Sequence, residues 1–137
     1  MKDVVVDSNV FIASLIENDK FYNESIDIFE KMNMKELIFH ISPIIPIEVS
    51  CAIARRIGVK EANKSIEIIQ NWIKEKKIFM YELNETRMLE AQNYGTKYRL
   101  KGMDAIIVQL ALELKKPLIT FDNEIIERAP DIQLFNS

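Results

Sequence analysis

Short runs of apolar residues alternate along this chain with longer segments in which apolar positions recur every three or four residues. The apolar runs predict strands at residues 4–6, 37–41, 78–83, 118–121 and 132–135. The periodic segments predict helices at about 11–16, from Asn23, and at 45–57, 60–76, 84–98, 104–115 and 122–128. Because the strand segments are apolar on both faces and alternate with helices, we expect an α/β fold with a parallel sheet covered on both sides.

Composition narrows the classes of function. The chain has 137 residues, and we expect residues 1–137 to form one domain. A net charge of −3 with 48% hydrophobic residues argues against both a polybasic nucleic-acid coat and a disordered acidic tail. One cysteine, Cys51, and one histidine, His40, exclude an internal disulfide and disfavour zinc sites and histidine-based triads.

The chain shows neither a targeting pattern nor a membrane-spanning one. Acidic residues occur too early in the N-terminal segment for the apolar core of a signal peptide. Residues 41–54 are the most apolar stretch, yet they are interrupted by two prolines and one glutamate and are shorter than the ~20 residues of a membrane helix. We therefore expect a soluble, cytoplasmic protein without a membrane partner.

Two acids follow predicted strands directly. Asp7 comes after the first strand and Asp122 after the fourth. Each could simply cap the helix that follows it. In open parallel sheets, however, ligands bind beyond the carboxyl ends of the strands, so the same two acids are candidate ligands if their strands are neighbours.

Two further acids lie in apolar helices. Glu48 is the only charged residue between positions 41 and 54, and it requires an ion-pair partner such as Arg55 or Arg56, exposure to solvent, or a metal. Asp104 begins an almost wholly apolar helix, where it could interact with the helix dipole or project toward the strand ends as a ligand.

A set of four carboxylates without histidine or cysteine suits hard cations. Mg²⁺ or Mn²⁺, as one or two ions, would relieve the repulsion among the acids and generate a hydroxide nucleophile from bound water. Phosphodiester hydrolysis then needs no histidine base.

These motifs together resemble the PIN-domain ribonucleases, in particular the small VapC-type toxins and their archaeal relatives. The resemblance rests on the segments VVVDSN at 4–9, IEVS at 47–50, GMDA at 102–105 and ITFD at 119–122. It implies a three-layer α/β/α fold with a parallel sheet of four or five strands and a metal-dependent endoribonuclease. The chain departs from the family pattern at Gln109, where a small residue is usual, and we expect locally altered helix packing there.

The resemblance also implies roles for individual residues. Asp7, Glu48, Asp104 and Asp122 would be the catalytic, metal-binding acids, with Asn9, Thr120 and Ser8 orienting them and their waters. It further implies an RNA substrate, an antitoxin partner and a homodimer. Positive side chains are candidates for phosphate contacts, or else for solvated helix ends: Arg55, Arg56, Lys97, Arg99 and Lys101.

Two other functions remain open from the sequence. A PIN-like scaffold with weak or no nuclease activity could act as an RNA-binding or protein-binding module. A phosphatase that forms a phospho-aspartate on Asp7 would require a second aspartate two residues on, where this chain has Asn9. The presence of all four acids counts against the scaffold, and Asn9 counts against the phosphatase.

Overall fold

The structure, a computed structural model, describes residues 1–135; Asn136 and Ser137, which the predicted domain includes, lie outside the described residues. Its strands are β1 (Lys2–Val6), β2 (Leu37–Ile41), β3 (Ile78–Met80) and β4 (Leu118–Ile119). Its helices are α1 (Ser8–Leu15), α2 (Tyr22–Asn33), α3 (Ile44–Arg56), α4 (Val59–Lys74), α5 (Glu85–Tyr98), α6 (Gly102–Leu114) and α7 (Asn123–Arg128).

All neighbouring strands of the sheet are parallel, in the order β3-β2-β1-β4. β1 lies between β2 and β4: Val4 is level with Phe39, and Val5 with Leu118. Val4, Val5 and Val6 are almost completely buried, which explains the unbroken β-branched run in the sequence. The predicted parallel α/β fold is confirmed, with helices on either side of the sheet.

The sheet has four strands over the described residues. The predicted fifth strand at 132–135 is instead a single bridge, in which Leu134 pairs with Leu118. The third and fourth strands also end earlier than predicted, at Met80 and Ile119. Apolar composition alone did not reveal where backbone pairing stops.

The helices form two packed groups flanking the sheet. Helices α1 to α4 contact one another, and α5 packs along α6. Three of the helices begin at a side-chain cap: Asp7 caps α1, Asn84 caps α5 and Asp122 caps α7. Among residues 1–135, no helix combines the length and the apolar character needed to cross a membrane.

Candidate functional site

The carboxyl ends of β1 and β4 lie side by side and carry two of the predicted acids. The Asp7 backbone N–H donates to the carbonyl of Ile119 at 3.0 Å, which joins the two strand ends. The Asp7 side chain accepts from the backbone N–H of Ser8 at 2.7 Å, and that of Asp122 from the N–H of Glu124 at 2.9 Å. Both aspartates are therefore helix caps, and both lie at the carboxyl edge of the sheet, where open parallel sheets generally bind ligands.

Asn9 and Thr120 connect these two acids. The Thr120 hydroxyl donates to Asp7 Oδ2 at 2.7 Å and accepts from the backbone N–H of Asp122 at 3.0 Å. The Asn9 amide donates to the same Asp7 oxygen at 3.2 Å, and its carbonyl accepts from the N–H of Phe121 at 3.2 Å. These hydrogen bonds fix the orientation of the Asp7 carboxylate, which is only 4% exposed.

Glu48 and Asp104 approach the same region from helices α3 and α6. Each has one buried oxygen without a hydrogen-bond partner: Glu48 Oε1 and Asp104 Oδ2. Over the described part of the chain, Glu48 makes no ion pair with Arg55 or Arg56, so that explanation of Glu48 is wrong. A buried carboxylate oxygen without a donor is energetically costly, and a bound cation would remove the cost.

The electrostatics link all four acids, which we call the carboxylate site: Asp7, Glu48, Asp104 and Asp122. Burial raises the pKa of Asp7 to about 6 despite the hydrogen bonds from Thr120 and Ser8, and the charges of Glu48 and Asp122 raise it further. Burial, then the charges of Asp122 and Asp7, raise the pKa of Asp104 to about 6. Burial and the charge of Asp104 likewise raise the pKa of Glu48, against the effect of the Ser8 hydroxyl. The site is therefore a desolvated cluster of like charges.

A divalent cation fits the chemistry of this donor set. The donors are carboxylate oxygens, two of them buried and unpaired, which suits Mg²⁺ or Mn²⁺. Among residues 1–135, no three His, Cys, Asp or Glu side chains converge closely enough to hold an ion as they stand. Binding would require the mutually repelling carboxylates to move together, which the positive charge of the ion favours.

The positively charged side chains predicted to bind phosphate differ in their distance from the acids and in their ion-pair partners. Lys101 lies beside the site, where its charge lowers the pKa of Asp104, but its Nζ is 3.9 Å from Glu124. The Nζ of Lys97 lies 3.7 Å from Asp131. Arg99 is exposed at the end of α5.

Arg55 and Arg56 are exposed in the last turn of α3. Arg55 follows Glu48 by seven residues, about two helical turns, which puts both on one face of the helix about 10 Å apart. Of the five cations, the structure thus brings Lys101 directly to the acids, and Arg55 onto the same helix face as Glu48.

Glu124 is a site residue that the sequence reasoning did not single out. It lies in the first turn of α7, its charge raises the pKa of Asp104, and it pairs with Arg128 at 3.4 Å as well as with Lys101. Its signal in the sequence was its position two residues after Asp122.

Comparison with solved structures finds the same fold in several proteins. Mycobacterium tuberculosis VapC20, a sarcin-ricin loop cleaving toxin, matches with a TM-score of 0.76 and 13% identity, covering 92% of this chain and 95% of that one. VapBC2 of Rickettsia felis, bound to a DNA fragment of its promoter, matches with a TM-score of 0.71 and 13% identity over 98% of each chain. PAE2754 of Pyrobaculum aerophilum matches with a TM-score of 0.65 and 14% identity, over 96% of this chain and 87% of that one.

At such identities these structures show a shared fold and nothing more specific. A search of curated protein sequences finds no match. The PIN domain family, by contrast, matches this chain over residues 4–131, a range that includes every residue of the carboxylate site. That match agrees with the resemblance drawn from the four sequence motifs. The chain belongs to the PIN domain family.

Proposed function

We propose that this protein is an endoribonuclease that hydrolyses RNA phosphodiesters with Mg²⁺ or Mn²⁺. The observation that carries the proposal is the carboxylate site itself: four acids at one edge of the sheet, where the pKa values of Asp7, Glu48 and Asp104 are raised and two buried oxygens are unpaired. An arrangement that destabilises the fold in the absence of a cation is typical of a functional site.

In this proposal the four acids hold one or two ions. A bound ion would supply a hydroxide nucleophile from water and stabilise charge on the phosphate. Thr120 and Asn9 keep the Asp7 carboxylate in one orientation through their hydrogen bonds to Oδ2. Ser8 contributes its backbone N–H to the other oxygen, Oδ1. The protein thus presents ordered anionic oxygens, and phosphate binding depends on the ion they hold.

Positive side chains next to the site would contact the RNA backbone. Arg55, Arg56 and Arg99 are exposed and make no ion pair within the described residues. Lys97 and Lys101 are each close to a carboxylate, so RNA phosphates must compete with Asp131 and Glu124 for them. We expect Lys101 to matter most, because it precedes Asp104 by three residues.

We further propose that the protein is the toxin of a toxin–antitoxin pair and forms a homodimer. The fold is shared with proteins solved as toxin–antitoxin complexes, such as that from Klebsiella pneumoniae. Apolar side chains at the ends of α1 and α3 are exposed: Leu15 is 39% and Ile57 is 50% exposed. Both line a cavity of about 190 Å³ together with Ile53, Ile68 and the polar residues Glu61, Lys64 and Ser65, a surface suited to an amphipathic protein segment.

The test is RNA cleavage by purified Asp7→Asn and Asp104→Asn variants. Each substitution keeps the shape of the side chain and removes the charge that holds the ion. We expect Mg²⁺-dependent cleavage to fall by more than about 100-fold, since even residues that only support metal ligands cost 10–100-fold. Glu67→Gln, which neutralises an exposed acid on α4, is the matched control and should cleave normally.

Retained cleavage by both aspartate variants would exclude the proposed site. RNA or protein binding by the wild type without cleavage, and without Mn²⁺ binding in a titration, would instead favour the weakly catalytic scaffold.

A further inference from the structure

Two aromatic side chains stack on each other beside the carboxylate site. Phe121 lies between Thr120 and Asp122, and its backbone N–H donates to the side-chain carbonyl of Asn9 at 3.2 Å. The ring of Phe21 stacks on that of Phe121, with centroids 4.4 Å apart and planes at 13°. The stack therefore joins the loop between α1 and α2 to the segment that carries Asp122.

Packing of the core does not account for Phe21. Within the described residues, Phe121 packs against the hydrophobic core, whereas Phe21 is not among the side chains that do so. The backbone of Phe21 is nevertheless held in place, because its N–H donates to the Asp19 carboxylate at 2.8 Å and its carbonyl accepts from the Ser25 N–H at 2.9 Å. A fixed, half-buried aromatic ring loses little conformational entropy when another flat group stacks on it.

A lysine lies over the outer face of the Phe21 ring. Because Phe121 occupies one face of that ring, the Lys20 ammonium, 5.3 Å from the ring centroid, lies over the other. Lys20 is exposed and makes no ion pair within residues 1–135. An exposed cation is held weakly over a ring, whereas a nucleobase stacks on it more strongly, so a base can displace the lysine.

The acids next to the stacked rings favour a base over a phosphate. Phe121 and Thr120 line a cavity of about 300 Å³, and Glu24 and Asp27 lie on its wall. Carboxylates repel phosphate groups, but they accept hydrogen bonds from the N–H groups of bases. The phosphates of a bound RNA strand would therefore lie on the side of Lys20.

We propose that Phe21 and Lys20 form a stacking subsite for an unpaired RNA base beside the carboxylate site, which deepens the proposed nuclease function and rests on it. The base stacks on the outer face of Phe21, and Lys20 moves from the ring to a neighbouring phosphate. Stacking of this kind tolerates any base, but it requires a base without a pairing partner. The subsite therefore selects the unpaired state of a nucleotide and leaves its sequence open.

The role of the ring is tested by RNA binding in an Asp7→Asn background, where cleavage does not interfere. Fluorescence anisotropy measures the affinity for a single-stranded oligoribonucleotide. Phe21→Leu keeps an apolar side chain without a ring and should weaken binding by about tenfold, whereas Phe21→Tyr keeps the ring and should stay within about twofold of its parent. Phe79→Leu, at an exposed aromatic residue of β3 on the opposite edge of the sheet from β4, is the matched control and should bind normally.

Stacking also has a direct signal. A fluorescent adenine analogue, placed at successive positions of the same oligoribonucleotide, is quenched where it stacks on an aromatic ring. We expect quenching that depends on the protein and that Phe21→Leu abolishes and Phe21→Tyr retains. A duplex of the same sequence offers no unpaired base, so Phe21→Leu should leave the affinity for the duplex unchanged.

The role of Lys20 is tested by the dependence of RNA binding on salt. Lys20→Gln removes one phosphate contact, so the slope of log affinity against log salt should become shallower by about 0.7. Phe21→Leu should leave that slope unchanged, because a ring contacts no phosphate. Lys116→Gln is the control, since this exposed lysine precedes β4 by two residues and lies at the other end of that strand from the carboxylate site.

Equal RNA affinity in Phe21→Leu and its parent would overturn the proposal and would leave the aromatic pair as a contact for a protein segment. A loss in Phe21→Tyr as large as that in Phe21→Leu would overturn it as well, because the ring would then not be what binds. Cleavage by the chain with its native Asp7 reports separately on the nuclease. Cleavage without the stacking signal removes only the subsite, whereas stacking without cleavage supports the subsite and removes the nuclease.

Discussion

Two polar clusters of this fold differ in whether their carboxylates have hydrogen-bond partners. In the carboxylate site, acids face one another and two buried oxygens lack a partner. In the second cluster, the Arg87 network, Arg87 donates to both oxygens of Glu113 at 2.9 to 3.3 Å, and Gln109 donates to Glu113 at 2.9 Å and to Glu90 at 3.2 Å. The hydrogen bond from Arg87 lowers the pKa of Glu113, whereas burial raises the pKa of Asp7.

The contrast indicates a structural role for the Arg87 network and a functional role for the carboxylate site. A fully paired network connects α5 to α6 and needs nothing from outside the chain. A desolvated cluster of like charges is unfavourable until a cation binds, so its presence requires a functional explanation. Gln109, where the family usually has a small residue, belongs to the Arg87 network. Its side chain is buried, and its amide donates a hydrogen bond to Glu113.

The largest expected effect on stability comes from neutralising Asp7. Without metal, Asp7→Asn should raise the free energy of unfolding at pH 7 by up to about 3 kcal/mol, since a pKa raised from 3.8 to about 6 disfavours the charged folded form. Asparagine keeps the helix cap through Oδ1, but its amide nitrogen cannot accept from Thr120 and Asn9, which reduces the gain. Urea unfolding with a chelator measures the change, and a loss of stability would contradict the electrostatic account.

The pH dependence of the metal-free wild type follows from the same shifts. Between about pH 4 and 6, folded Asp7 and Asp104 bind protons that the unfolded chain has released, so stability falls as pH rises through this window. Glu113 has the opposite effect on stability. Its stabilising contribution is lost as the pH falls through its lowered pKa. As the pH rises above the ordinary pKa of 4.5, Glu113 becomes ionised in the unfolded state as well, and its effect on the slope fades. The slope from pH 5 to 6.5 should therefore flatten in Asp7→Asn, and an unchanged slope would exclude Asp7 as its source.

Breaking the Arg87 network should lower the stability of the fold and leave RNA cleavage unchanged. Arg87→Met leaves Glu113 without its main partner, and we expect a loss of about 1–2 kcal/mol, limited because the pair is partly exposed. Lys116→Met, at an exposed lysine without an ion pair, is the control for removing a positive charge. RNA cleavage should match the wild type. A loss of cleavage comparable to that of Asp7→Asn would remove the distinction between the clusters.

The smallest expected effect tests the link between the acids and Lys101. In an Asp7→Asn background that does not cleave, Glu124→Gln should strengthen RNA binding about threefold, because Lys101 is released to contact phosphate. Glu127→Gln removes the same charge from an exposed position of α7 and is the matched control. Fluorescence anisotropy at several salt concentrations measures both. If both variants strengthen RNA binding equally, the change in net charge alone explains the effect, and Lys101 has no specific role.

Much of the fold could be predicted because its signals are local. Apolar runs located the four strands, and capping residues such as Asp7 and Asn84 marked helix starts to within a few residues. Contacts between distant segments could not be predicted. Gly95 is the glycine that the packing of α5 on α6 requires, because a Cβ there would lie 2.8 Å from that of Ala105.

By itself, the sequence determined that Asp7 and Asp122 follow strands, and that Glu48 lies in an apolar helix without an obvious partner. Only the tertiary structure decided that β1 and β4 are neighbours, that Glu124 joins the acids, and that Lys101 is paired rather than free. The physical reason is the range of the interactions. Strand and helix preferences act over a few residues, whereas burial, pairing and charge repulsion depend on segments more than a hundred residues apart, as Thr120 and Asp7 are.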